Sequence, residues 1–211
     1  MPELARYFPG LDAVQRRRFE RLPALYAEWN SRINVVSRKD IDDLEVHHIL
    51  HSLAIARFCS LPCGASVMDA GTGGGFPGIP LAILFPGCHF TLVDAIAKKI
   101  KVVQAITDAL GLQNVTPLCR RVEQVPGSFD LVVSRAVTNL PDFIDWVWPR
   151  LRPAGALNGP HGIICLKGGD LTAEVAAAAK KLPDTPPVVV DIKQWFDNEF
   201  FETKKIVYFA R

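Results

Sequence analysis

The sequence predicts an α/β fold, a mostly parallel doubly wound sheet with a C-terminal antiparallel hairpin and an N-terminal helical extension. Three observations carry this. From Ala65 onward, short apolar runs alternate with helix-periodic stretches. The last two such runs have no helix between them. Residues before position 63 show helical periodicity alone.

The apolar runs are SVMDA (66–70), HFTLVDA (89–95), VTPLC (115–119), FDLVVSR (129–135) and GIICLK (162–167). Helical stretches at about 77–85, 97–110, 139–151 and 170–182 separate most of them. Strand–helix alternation implies parallel pairing with right-handed crossovers. VVVDIKQW (188–195) and KKIVYFAR (204–211) should pair as a hairpin at one sheet edge. In the extension, Val14, Leu22, Leu25, Tyr26, Trp29 and Ile33 recur at helical spacing, with Pro23 expected to kink that helix. A second helix spans about 40–59, with Ile41, Leu44, Leu53 and Phe58 as candidate core. Leu61-Pro62-Cys63-Gly64 reads as a boundary, dividing the chain into an extension (1–62) and a sheet domain (63–211).

Composition narrows the class. Of the 211 residues 49% are hydrophobic and 22% charged, an ordinary globular balance. No apolar run approaches the roughly 18 residues of a membrane helix. The start, MPELARYFPG, shows no signal-peptide pattern, and five cysteines suit reduced thiols, so a cytoplasmic protein is expected. A net charge of +2 is too mild to argue nucleic-acid binding by itself.

DAGTGGGFPG (69–78) follows the first strand, where doubly wound sheets bind ligands. Glycines there let backbone approach a ligand closely. A formal G-x-G-x-x-G exists at Gly73, Gly75 and Gly78, but it starts two residues late and contains Pro77. Asp69 would repel a dinucleotide's pyrophosphate, whereas a carboxylate ending the first strand suits a cationic ligand. Asp94, 25 residues later, closes the second strand and can accept from ribose hydroxyls. Glu123 follows the third strand, within reach of an adenine amino group. Three acids at successive strand ends favour S-adenosyl-L-methionine, with Gly71 and Gly73 at its amino-acid end. A nicotinamide dinucleotide is the alternative.

The acceptor is read from what is missing. Pro62-Cys63, the only Pro-Cys, precedes the first strand, where it cannot serve cytosine-carbon methylation. Ser134-Arg135-Ala136-Val137 replaces the Asn/Asp-Pro-Pro-aromatic motif of exocyclic-amine methylation. A ring nitrogen such as guanine N7 carries no proton and needs no base. A methyltransferase for a small molecule or protein, and a non-catalytic RNA-binding module, stay open here.

Trp29-Asn30, Asn34, HHILHS (47–52), DAGTGGGFPGIPLA (69–82), LVDAIAKK (92–99), RVE (121–123), SRA (134–136) and LKG (166–168) together resemble the bacterial 16S rRNA guanine-N7 methyltransferases, also called glucose-inhibited division protein B. The resemblance covers nearly the whole chain, and GFPGIPLA is far more specific than the glycines alone. It implies a Rossmann-like S-adenosylmethionine methyltransferase acting on 16S rRNA or the small ribosomal subunit; a monomer with neither membrane nor metal is expected. Carried over by motif, cofactor contacts fall on Gly71, Phe76, Val122, Glu123 and Arg135, joined by Asp94 and Gly73 from the fold argument. His48, Arg135 and Lys167 are the substrate-side candidates, and no catalytic residue is assigned. Two departures stand out. His47 and His51 replace the family's usual arginine and aspartate, and the connection ALNGPHG (156–162) is longer than usual.

Among other features, His47 and His51 share a helix face near Cys59 and Cys63, a spacing that metals use, though packing is the expected role. Arg16, Arg17, Arg18 and Arg21 read as a solvated face or a phosphate-contacting strip. Residues 1–60 hold nine Lys/Arg against eight Asp/Glu, so no regional excess favours the strip.

Overall fold

Ser66–Ala70 (β1) pairs in parallel with His89–Asp94 (β2) on one side and Leu131–Arg135 (β4) on the other. The computed structural model describes residues 1–37, 40–153 and 159–211. Val115–Cys119 (β3) extends the sheet beyond β2, and Gly162–Gly168 (β5) beyond β4, all parallel. Lys204–Ala210 (β7) then runs antiparallel to β5, with Val188–Asp191 (β6) outside it, giving the order β3-β2-β1-β4-β5-β7-β6. Pro117 is tolerated because β3 is an edge strand. The chain reverses direction across the sheet at β1 and β4, so the loop after β1 stands at the switch in strand order.

The predicted hairpin forms, but its first strand ends at Asp191. Ile192 and Phe196 turn inward there and are fully buried, Phe196 against the rings of Tyr7 and Phe201. A continued strand would have left those apolar side chains at the sheet edge.

Pro2–Tyr7 (α1), Ala13–Asn30 (α2), His51–Phe58 (α3), Gly78–Leu84 (α4) and Ala97–Leu110 (α5) cover one face of the sheet. Leu140–Val147 (α6) and Thr172–Lys181 (α7) cover the other. The extension and the first face share one continuous core, in which Phe19, Leu22 and Tyr26 of α2 meet Ile79, Phe90 and Ile106. Helix α2 continues through Pro23, which lies on its exposed side. Val14, expected in the core, is 46% exposed, because α2 begins there, at the rim.

Helix α2 is held by its ends and its arginines. Asp12 and Gln15 form a reciprocal capping box. Gln15 also donates to the Ile83 and Leu84 carbonyls at the end of α4. Arg18 donates to the Leu110 and Gly111 carbonyls, closing α5, and Arg16 to those of Pro9 and Leu11. Two of the four clustered arginines thus clamp neighbouring backbone, Arg18 from a half-buried position and Arg16 from an exposed one; Arg17 and Arg21 are exposed as well. No described helix is long and apolar enough to cross a membrane.

Candidate functional site

Asp69 lies at the end of β1 with no exposed surface, facing α4 and the extension. Its Oδ2 accepts from Thr72 Oγ1 at 2.6 Å and from the Gly78 amide at 2.8 Å. This corrects the expectation that Asp69 faces a cationic ligand: the carboxylate is sealed inside, bracing the loop. It still argues against a dinucleotide, because it takes an amide at the head of α4 that a pyrophosphate would need. Burial pushes its pKa up to about 7, against the opposing pull of Thr72, the Gly78 amide and Arg135. A carboxyl with a raised folded-state value stabilises the fold fully below about pH 4, its unfolded value, and loses that contribution as pH rises through about 7. Asp69→Asn should therefore flatten the decline in unfolding free energy between pH 4 and 7 by up to about 1.4 kcal/mol per pH unit. Urea melts across that range check it, and an unchanged slope would place the titration elsewhere.

The glycine loop is pinned from two sides. Tyr26 donates its hydroxyl to the Gly74 carbonyl at 2.7 Å, from inside the core. Asn30 accepts from the Val35 and Val36 amides and donates to the Val36 carbonyl, setting Val35 where a Cβ on Gly74 would lie 3.0 Å away. Asn30 was legible only as part of a motif; its role is to seat the extension on the loop.

Gly71, Asp94, Val122 and Glu123 line one cleft of about 270 Å3, together with Ala95, Ile96, Val137 and Trp146. Asp94 Oδ2 accepts from the Gly73 amide at 3.1 Å, Oδ1 from the Ile96 amide at 2.9 Å, and Lys99 lies 3.6 Å away. Gly73 thus serves the site through Asp94. Glu123 is exposed at the rim, in a short 3-10 turn (Val122–Gln124) whose Glu123 carbonyl accepts from Arg150. Sequence reasoning missed Ile96 and Trp146. Ile96, 42% exposed at the head of α5, carried a signal: a large apolar side chain in a position that favours polar caps. Trp146 carried none.

Phe76 and Arg135, expected at the cofactor, do not line this cleft. Phe76 is 2% exposed and stacks on Tyr26 at 4.7 Å, because the loop turns it into the core. The Arg135 guanidinium lies 5.0 Å above the Phe76 ring and donates to the His47 carbonyl and to His48 Nδ1, at 3.2 and 2.8 Å. Arg135, His48 and Lys167 instead line a second pocket, of about 490 Å3, with Asp40, Ala136, Leu166, Glu174 and Phe200. Lys167 does not offer a free ammonium there. It donates to the Thr138 carbonyl and pairs with Glu174 Oε1 at 2.7 Å.

Local backbone shapes this second pocket. Leu44–Leu50 is a stretch of π-helix leading into α3, a rare geometry found often at functional sites. It brings both His47 and His48 to the pocket wall. Ala136, at φ 53°, adopts a left-handed conformation uncommon for a residue with a side chain. Ala136 lines the second pocket and Val137 the first, so a single peptide separates them.

The two replacements meet at one ring. His47 stacks on Phe200 at 4.0 Å and His51 meets it edge-on at 5.5 Å. His47 also hydrogen-bonds Asp40 at 3.0 Å. Among the described residues, no three His, Cys, Asp or Glu side chains converge as a metal would need. Of the lengthened connection, 156–158 lie outside the described residues.

The family described as GidB: rRNA small subunit methyltransferase G matches residues 15–194. A ribosomal RNA small subunit methyltransferase G from Flavobacterium johnsoniae is 51% identical over 209 residues, covering 99% of this chain and 97% of that protein. Its namesake from Bacteroides fragilis is 50% identical over 208 residues, covering 99% and 98%. Similar solved folds include an O-methyltransferase from Thermotoga maritima, at TM-score 0.61 and 17% identity, covering 82% of this chain and 69% of that one. Another is magnesium protoporphyrin IX methyltransferase from Synechocystis, at TM-score 0.59 and 18% identity, covering 96% and 99%. With half its residues shared along the full length of such relatives, the chain belongs to the rRNA small subunit methyltransferase G family.

Proposed function

We propose that this chain transfers the methyl group of S-adenosylmethionine to N7 of a guanine in 16S rRNA, as a cytoplasmic monomer. Residues 1–62 act as a docked extension, and 63–211 carry the cofactor. The observation that carries this reading is the pair of pockets divided by the Ala136–Val137 peptide. One suits a nucleoside donor and the other a base.

The residues of the first cleft fit the cofactor. Ile96, Val122, Val137 and Trp146 supply apolar walls for an adenine, Asp94 accepts from ribose hydroxyls, and Glu123 faces the adenine amino group. Gly71 and Gly73 border the methionine end. S-adenosylmethionine brings an electrophilic methyl on a sulfonium, and its displacement needs alignment above all. N7 presents a lone pair without a proton, so no general base is required. The chain's own task is to hold the base edge-on to the peptide between the pockets and to keep water out. Among the described residues Arg17, Arg21, Lys98 and Lys101 remain exposed for RNA phosphates.

Incubation with 30S particles lacking their modifications and a labelled methyl donor, followed by mass mapping of the 16S rRNA, tests the proposal. One labelled guanine is expected, with the label lost on depurination chemistry specific to N7-methylguanine. Label in ribosomal protein, or in no RNA, would end the reading.

A further inference from the structure

His48 is not needed as a base, yet it is held more tightly than a wall residue requires. Its ring sits 4.9 Å from Phe76, and Arg135, already fixed over the same Phe76 ring and bonded to the His47 carbonyl, donates to His48 Nδ1 at 2.8 Å. A guanidinium has no acceptor. Nδ1 must therefore be the unprotonated nitrogen, and the ring proton must reside on Nε2. Among the described residues Nε2 has no hydrogen-bond partner, and it is not among the buried atoms lacking one. The Nε2–H of His48 is thus left uncommitted in a residue that lines the second pocket.

We infer that Arg135 locks His48 in its Nε2–H tautomer so that a neutral donor meets O6 of the target base and selects guanine over adenine. This rests on the reading above that the pocket receives the base. The chemistry favours O6. A hydrogen bond to N7 would occupy the lone pair that must attack, whereas O6 is the adjacent acceptor on the same edge. Adenine offers an amino donor in that place, and two donors facing each other leave both without a partner. Charge matters as well, because the base becomes cationic as N7 is methylated. A protonated imidazole beside it would oppose that step; a neutral one does not. Burial first, and then Arg135, hold His48 down to about 3, against a weaker opposing pull from Asp40, so the ring stays neutral at working pH. Across the pocket Glu174, whose Oε1 accepts from the Leu140 amide and Lys167, is an acceptor for the base's N1 and N2 hydrogens. His48 is thus a specificity residue touching the substrate, and Arg135 a positioning residue acting through it.

Two measurements test this. In the first, 30S subunits are reconstituted with guanine or 2-aminopurine, which keeps N7 but lacks O6, at the modified position. The wild type should methylate the analogue about tenfold more slowly in single turnover. His48→Phe keeps a ring against Phe76 but has no donor. It should be about tenfold slower on guanine, bind S-adenosylmethionine within twofold of wild type, and lose a smaller factor on the analogue than the wild type does, the loss common to both being that of the N1 hydrogen, which 2-aminopurine also lacks. If both proteins lose the same factor on the analogue, the O6 contact does not exist and the inference fails while the function stands. If the wild type methylates no guanine in these particles, the proposed function itself fails. In the second, 15N spectra of the histidine rings should show His48 as a non-titrating Nε2–H tautomer from pH 5.5 to 8.5, and Arg135→Gln should release it into a mixture. A His48 ring that carries its proton on Nδ1, or titrates in that range, overturns the lock.

Discussion

Gly71→Val is expected to abolish S-adenosylmethionine binding and to lower stability at the same time. Gly71 has φ 71°, a left-handed conformation that costs a residue with a side chain about 1–2 kcal/mol. A Cβ built there collides with Val137 Cγ2, so the obstruction is within the protein before any ligand is considered. Overpacking of that kind adds about 1–3 kcal/mol. Val137 follows the left-handed Ala136 and lines the cleft itself, so displacing its side chain moves it into the space the ligand would need. Calorimetry should show no binding heat at concentrations 100-fold above the wild-type dissociation constant, with circular dichroism confirming a folded chain. Gly71→Ala combined with Val137→Ala should recover part of the affinity, since the collision is relieved and only the backbone strain remains. Wild-type binding by Gly71→Val would show that the cofactor does not sit against this loop.

Asp94→Ala should weaken cofactor affinity by about 1–3 kcal/mol, roughly five- to 150-fold in dissociation constant. The carboxylate does two things that alanine cannot. It accepts from the Gly73 and Ile96 amides, which hold the glycine loop against the head of α5, and in the proposed cofactor site it would accept from the ribose hydroxyls. Asp94→Asn separates these roles: one amide oxygen can keep a backbone contact but cannot accept from both hydroxyls. An intermediate loss for Asp94→Asn is therefore expected. Equal affinity for all three proteins would place the ribose elsewhere.

The candidate site was legible to different depths. Asp94, Val122, Glu123 and Gly71 share one cleft because each follows the end of a neighbouring strand, and strand ends can be ordered from alternation alone. Asp69 follows the same rule, yet its side chain points to the buried face. Whether a strand-end carboxylate meets ligand or core depends on which helix lies over that face. Phe76 turned into the core and Arg135 fell on the other side of the Ala136–Val137 peptide for a similar reason. The motif placed them near the cofactor, but the cation lies over that aromatic ring and turns to His48.

Local chemistry was enough to order the elements of this chain. Apolar spacing marks strands and helices within a few residues, and glycines and prolines mark where they stop. The glycine loop at the switch point and the edge hairpin were accordingly visible in the sequence. Partnerships across long stretches of chain were not. Arg18 reaches Leu110, Tyr26 reaches Gly74 and Arg135 reaches His48, 92, 48 and 87 residues apart. Such bonds exist only once packing has chosen which faces meet, and no local period records that choice.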